Sequence, residues 1–136
     1  MTVVLFYFHL LFLGAPVGAD LPYAEISNAF EKNDASQVIS FCENPVLLIV
    51  DNVEGIYNQA QATMVLMDFF NKHPNGAFNY QFQGKEADQD IYSAAIYAEG
   101  PQNINIGIYF SSEAPNKIQS IKLGAVSYTH LTLPTN

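Results

Sequence analysis

A chain of 136 residues with thirteen Asp and Glu against five Lys and no Arg carries a formal charge of −8, which repels phosphate backbones and excludes the clustered cations that nucleic-acid binding needs. Its 49% hydrophobic content, with ten Phe and eight Tyr against 13% charged residues, can close a core without disulfides or metal and argues against a disordered chain. The one cysteine, Cys42, rules out an internal disulfide, and the length leaves room for a single small domain.

Val3 to Leu13 is an apolar run broken only by His9 and followed by Gly14, Pro16 and the small-residue site Val17-Gly18-Ala19. This pattern is a cleavable leader over 1–19, cut after Ala19, although no Lys or Arg precedes the run. The run is shorter than the roughly twenty residues that cross a bilayer, so no membrane span is expected once the leader is gone. The expected product is exported, periplasmic or secreted, and free of a lipid anchor.

The domain is expected over 20–124. Pro22 suits the first turn of a helix, and Tyr23, Ile26, Ala29 and Phe30 follow at helical spacing until Asn33. Asp34-Ala35-Ser36-Gln37 has the form of a capping box and starts a second, shorter helix carrying Val38, Ile39 and Phe41, which should end before Glu43-Asn44-Pro45. Val46 to Val50 is an apolar strand, and Asp51-Asn52-Val53-Glu54-Gly55 after it is read as a turn. Asn58, three residues before Gln61, caps a long helix whose Ala62, Val65, Leu66, Phe69 and Phe70 make one apolar stripe. His73-Pro74-Asn75-Gly76 stops it.

Beyond Gly76 the period falls from about 3.6 to 2, the mark of strands. Phe78, Tyr80 and Phe82 alternate with Asn79, Gln81 and Gln83. Tyr92, Ala94 and Ile96 share a face, Ile104, Ile106, Ile108 and Phe110 alternate with Asn103, Asn105 and Gly107, and Ile118 to Leu123 closes the set. Short polar connections join them, so neighbours should pair antiparallel as a meander. The fold class expected is α+β in the order α-α-β-α-β-β-β-β, with N-terminal helices packed on a curved antiparallel sheet. Residues 125–136, including His130, add no patterned element and resemble translated sequencing-adapter sequence, so they are set aside.

Leu21 to Phe30, Asp34, Tyr57-Asn58-Gln59-Ala60-Gln61-Ala62, Val65-Leu66, Asp68-Phe69-Phe70 and Pro74 resemble a family of exported bacterial proteins known as a domain of unknown function. The element order is similar to the nuclear transport factor 2-like cone, also called SnoaL-like or cystatin-like. The resemblance spans Asp20 to Leu123 and implies the fold and export. It implies no reaction.

Enzymes built on such a cone, of the ketosteroid isomerase-like or cyclase-like type, place a carboxylate, His or Tyr inside it and act on a small carbonyl or ring substrate. The strand faces carrying Phe78, Tyr80, Phe82, Ile96, Ile106, Ile108 and Phe110 hold no Asp, Glu or His. Asp51 is the weak candidate for a catalytic base, with Tyr80 as the other acid–base group, and His73 is read as a helix-end residue complementing the dipole. Glu86, Asp88 and Asp90 lack the glycine and distal Glu of a calcium loop, and no metal or cofactor is expected. Cys42, with no cation beside it in sequence, is expected to be an inert core thiol. Tyr57, Tyr80 and Tyr92 pair an apolar ring with a hydroxyl and are the candidate contacts for a small hydrophobic ligand. The reading preferred is therefore a non-catalytic exported domain that binds such a ligand or a protein partner, a homodimer through the sheet included.

Overall fold

The computed structural model describes residues 21–85, 91–114 and 116–125. The expected leader with His9, the Glu86-to-Asp90 segment and the tail with His130 lie outside the described residues. Helices α1 (Tyr23–Glu31) and α2 (Ala35–Ser40) lead into strands β1 (Cys42–Val50) and β2 (Val53–Tyr57). Helix α3 (Gln59–Lys72) follows, then strands β3 (Ala77–Lys85), β4 (Ile91–Glu99), β5 (Gln102–Phe110) and β6 (Ile118–Ala125). One six-stranded sheet results, in the order β2-β1-β6-β5-β4-β3, so the last four strands form the expected meander.

Local chemistry sets the helix boundaries. Asn58 Oδ1 accepts from the Gln61 amide at 2.8 Å, and Gln61 Oε1 accepts from the Asn58 amide at 3.2 Å, a complete capping box for α3. At α2 only half of that motif forms: Asp34 Oδ1 accepts from the Gln37 amide at 3.0 Å. The Asp34 amide is already given to the Ala29 carbonyl at 2.9 Å, where it closes the end of α1 around Asn33, whose φ is 53°.

Three expectations are corrected. Only Asp51 and Asn52, with φ of 50° and 71°, form the turn after β1, a two-residue hairpin loop of the kind whose left-handed pair matches strand twist. Val53 to Gly55 therefore belong to β2, which pairs antiparallel with β1. The sheet is also not antiparallel throughout, because β1 runs parallel to β6, with Leu48 opposite Ile121 and Val50 opposite Leu123.

The third correction concerns faces. On β4 it is Ser93, Ala95 and Tyr97 that are buried under the helices, and Tyr92, Ala94 and Ile96 lie on the other side of the sheet. Both faces of this strand are apolar, so period 2 does not tell them apart. On β3 the register shifts between Tyr80 and Phe82, a bulge at Gln81 that turns Phe82 away from the helices.

The helix-facing side carries the core. Ile26 and Phe30 of α1, Leu66, Phe69 and Phe70 of α3, and Ile104, Ile106, Ile108 and Phe110 of β5 belong to one buried cluster with Phe78 and Tyr97. Phe30 stacks on Phe78 at 4.9 Å between centroids and meets Phe70 edge-on at 5.8 Å. Such pairs add to the gain from burial itself. The Tyr97 hydroxyl, at 0% exposure, donates to the His73 carbonyl and accepts from Asn33 Nδ2 at 2.9 Å and from the Gly76 amide at 3.0 Å. One phenol thus joins the ends of α1 and α3 to the start of β3. A Cβ on Gly76 would fall 2.3 Å from the Tyr97 ring, so this close approach requires glycine.

Candidate functional site

The side chains singled out in the sequence do not converge. Tyr80 is on the helix-facing side, where its hydroxyl donates to the Tyr23 carbonyl at 2.8 Å and its ring meets Tyr23 and Phe78 edge-on. Burial pushes its pKa well above the ordinary phenol value, with Tyr23 and Glu25 adding to the shift. A phenol so placed holds its proton. Tyr57 ends β2, half-buried against the core, with its ring over Gly55. Asp51 is exposed in the β1–β2 turn and lies outside the cone. His73 caps the end of α3, its Nδ1 3.0 Å from Glu99 Oε1 and its ring 4.9 Å from Phe69. Among the described residues the buried core contains no Asp, Glu, His or Lys, and no cluster of His, Cys, Asp and Glu could hold a metal ion.

Tyr92 alone of the three tyrosines lines a concavity, and that concavity is on the outer face of the sheet. Across this face the register sets Gly84, Tyr92, Tyr109 and Ser120 in one row, Phe82, Ala94, Gly107 and Lys122 in the next, and Asn79, Ile96, Asn105 and Gly124 in a third. Where the middle of these rows offers only Gly107, Gly124 and Ala94, the surface sinks into an open groove of about 720 Å³. Tyr92 and Tyr109 line it with their rings 4.6 Å apart, Asp51 and Asn52 reach it from the β1–β2 turn, and Gln81 reaches it from the bulge. Phe82 extends the aromatic row, 5.9 Å from Tyr92. Phe82 and Tyr109 are 43% and 42% exposed, high values for large rings.

Sequence reasoning named Tyr92 and Asp51 among these residues but missed Phe82, Gln81, Asn105, Gly107, Tyr109 and Lys122. A signal was present in β5, whose outward positions are Asn103, Asn105 and Gly107. These are weak strand formers in the middle of a sheet, between inward isoleucines.

Residues 23–123 match the domain of unknown function DUF4783. The chain belongs to this family. A DUF4783 protein of Bacteroides uniformis has the same fold with a TM-score of 0.68 at 20% identity, covering 79% of this chain and 98% of that one. The DUF4783 fold extends to a SnoaL-like protein of Burkholderia thailandensis, with a TM-score of 0.58, 10% identity and coverage of 76% and 91%. It extends also to a nuclear transport factor 2-like protein of Cytophaga hutchinsonii, with a TM-score of 0.53, 5% identity and coverage of 80% and 90%. No curated protein matches the sequence. At these identities the likeness carries the fold, which is the cone expected from the element order.

A second concavity of the DUF4783 domain is a surface notch of about 490 Å³ where α2 gives way to β1, lined by Cys42, Asn44, Gln59 and Lys117 among others. Its thiol is no nucleophile. Cys42 is 7% exposed, its Sγ donates to the Val38 carbonyl at 3.7 Å, and burial pushes its pKa up to about 12, more than Lys117 lowers it. The folded chain therefore keeps a proton that the unfolded chain releases from about pH 9 upward. From that point stability should fall by about 1.4 kcal/mol per pH unit. Cys42→Ala is expected to delay this onset to about pH 10, where the raised pKa values of Tyr80 and Tyr23 take over. Denaturant midpoints measured from pH 7 to 11 check this, and identical onsets in both proteins would refute the assignment.

Proposed function

We propose that this chain is a non-catalytic binding domain that takes a small ligand with an apolar ring face on the outer face of its sheet. The observation that carries the reading is the contrast between the two faces. The cone interior is filled by Phe30, Leu66, Phe70, Tyr97 and their neighbours, and the groove lined by Tyr92 and Tyr109 lies on the opposite side. Concave surfaces offering aromatic rings and a few polar groups are where small ligands bind. The enzyme alternative draws little support, because Asp51 is exposed in a turn outside the cone and the Tyr80 hydroxyl is engaged with the Tyr23 carbonyl.

A neutral naphthalene dye such as N-phenyl-1-naphthylamine tests the site. Its fluorescence should rise with the wild-type protein, and Gly107→Val should weaken binding at least about tenfold. A Cβ at Gly107 meets Tyr92 at 3.6 Å and Tyr109 at 3.7 Å, ordinary contacts, so that variant fills the groove without disturbing the strand. Equal binding by both proteins would refute the location. We propose in addition that the domain is exported in a bacterium, periplasmic or secreted. The leader pattern over 1–19 supports this, and a mature chain beginning at Asp20, read by mass spectrometry, is the check.

A further inference from the structure

Folding alone does not account for the groove floor. Gly76 is required by the Tyr97 ring and Gly100 by its φ of 61°, but Gly107 and Gly124 have neither reason. A Cβ at Gly107 would make ordinary contacts and one at Gly124 would meet nothing within 4 Å. Both sit within strands, where glycine is destabilising relative to alanine. Asn105, between them in the register, is another residue that strands disfavour. Local choices that oppose the fold, gathered at one place on its surface, mark a demand other than stability.

The polar groups at this place say what the demand is. The Asn52, Asn105 and Lys122 side chains make no hydrogen bond or ion pair among the described residues, so their donors and acceptors face the groove or water. Among the described residues Lys122 and Asp51 are the one cation and the one anion lining it, and they balance, so these residues favour no net ligand charge. A wholly apolar ligand would take water from these amides and from Lys122 and give no bond back, whereas a ligand with hydroxyls restores those bonds. A second copy of the chain would present the same hollow, and near a two-fold axis through the groove Lys122 would approach its own counterpart.

Resting on the binding reading above, we infer that the groove takes a neutral, ring-shaped polyol of the saccharide class. The C–H face of the sugar lies on the Tyr92 and Tyr109 rings over Gly107, and its hydroxyls exchange hydrogen bonds with Asn105, Asn52 and Lys122. Aromatic rings supply apolar area, and the amides restore the bonds lost to water.

The test titrates the protein with glucose, galactose, N-acetylglucosamine, cellobiose, maltose and chitobiose at millimolar concentration, by saturation-transfer NMR and calorimetry. The naphthalene dye serves as a parallel probe. At least one saccharide should bind and displace the dye. Asn105→Ala should weaken the saccharide at least about tenfold without weakening the dye, because it removes the amide and leaves the aromatic floor. Gly107→Val should weaken both. If the dye binds at the groove and no saccharide does, or if Asn105→Ala weakens both alike, the saccharide assignment fails and the binding reading stands. If neither probe binds, or sedimentation shows a dimer that hides the groove, both fail.

Discussion

Replacing Tyr97 with Phe is expected to lower stability by about 2–4 kcal/mol, although the change removes one oxygen and leaves the ring in place. That oxygen serves three partners at once: the His73 carbonyl, the Asn33 amide group and the Gly76 N–H. With the hydroxyl gone, the buried Gly76 N–H loses its acceptor and the half-buried His73 carbonyl and Asn33 amide each lose a partner, so desolvation goes uncompensated. Asn33 also accepts from the Asn75 amide at 2.8 Å, so losing the phenol loosens the hold between α1 and the α3–β3 connection. For a domain of this size the change corresponds to a fall in Tm on the order of 10–20 °C. Tyr109→Phe, on the exposed outer face, is the control and should stay within about 0.5 kcal/mol of wild type. Equal effects of the two substitutions in chemical denaturation would show that the Tyr97 network contributes no more than a surface hydroxyl.

Phe30→Ala should cost still more, about 3–5 kcal/mol, the range for deleting a fully buried aromatic ring. Phe30 is 0% exposed and sits between Phe70 and Phe78, with rings on both sides that cannot collapse into its place without leaving their own contacts. The resulting void would be lined by hydrocarbon and hence dry, and such voids take up benzene-sized molecules. This gives a second readout. The wild-type cone should take up no benzene, and the variant, if it remains folded, should be stabilised by it in thermal unfolding. Stabilisation of the wild type to the same extent would mean that a cavity already exists between α1, α3 and the sheet.

These two residues show how unevenly the sequence discloses the fold. Phe30 could be read directly, since it ends a helical stripe that begins at Tyr23, and helical periodicity assigns such positions to a core. The Asn58–Gln61 cap and the Ile104–Ile106–Ile108 alternation were legible for the same reason: each is a local pattern with one interpretation. Tyr97 was not legible. It occupies a strand with apolar residues on both faces, and what draws it inward is a hydroxyl that finds partners 64 and 21 residues away in sequence. Long-range pairing also concealed the parallel β1–β6 contact. The turn at Asp51 and Asn52 was visible, but Val53 to Tyr57 is too short for alternation to identify it as a strand.

The candidate site was legible only in part, for a related reason. Tyr92 could be named from its chemistry, but which face it joins depends on register. The bulge at Gln81 that adds Phe82 to the aromatic row reverses what period 2 implies. The more informative signal was Asn103, Asn105 and Gly107 at successive outward positions of β5, where strand propensity would have chosen otherwise. Reading such departures as a demand made by a ligand requires knowing that nothing in the fold requires them, and only the structure supplies that knowledge.

Amide chemical-shift mapping of the isotope-labelled protein, titrated with the naphthalene dye, tests most directly where this domain binds. Perturbations should concentrate on Tyr92, Ala94, Asn105, Gly107, Tyr109 and Lys122. The amides of Ile26, Phe30, Leu66 and Phe70 should stay in place. Shifts centred on that second group would put the ligand between helices and sheet and contradict a closed cone with its binding surface outside.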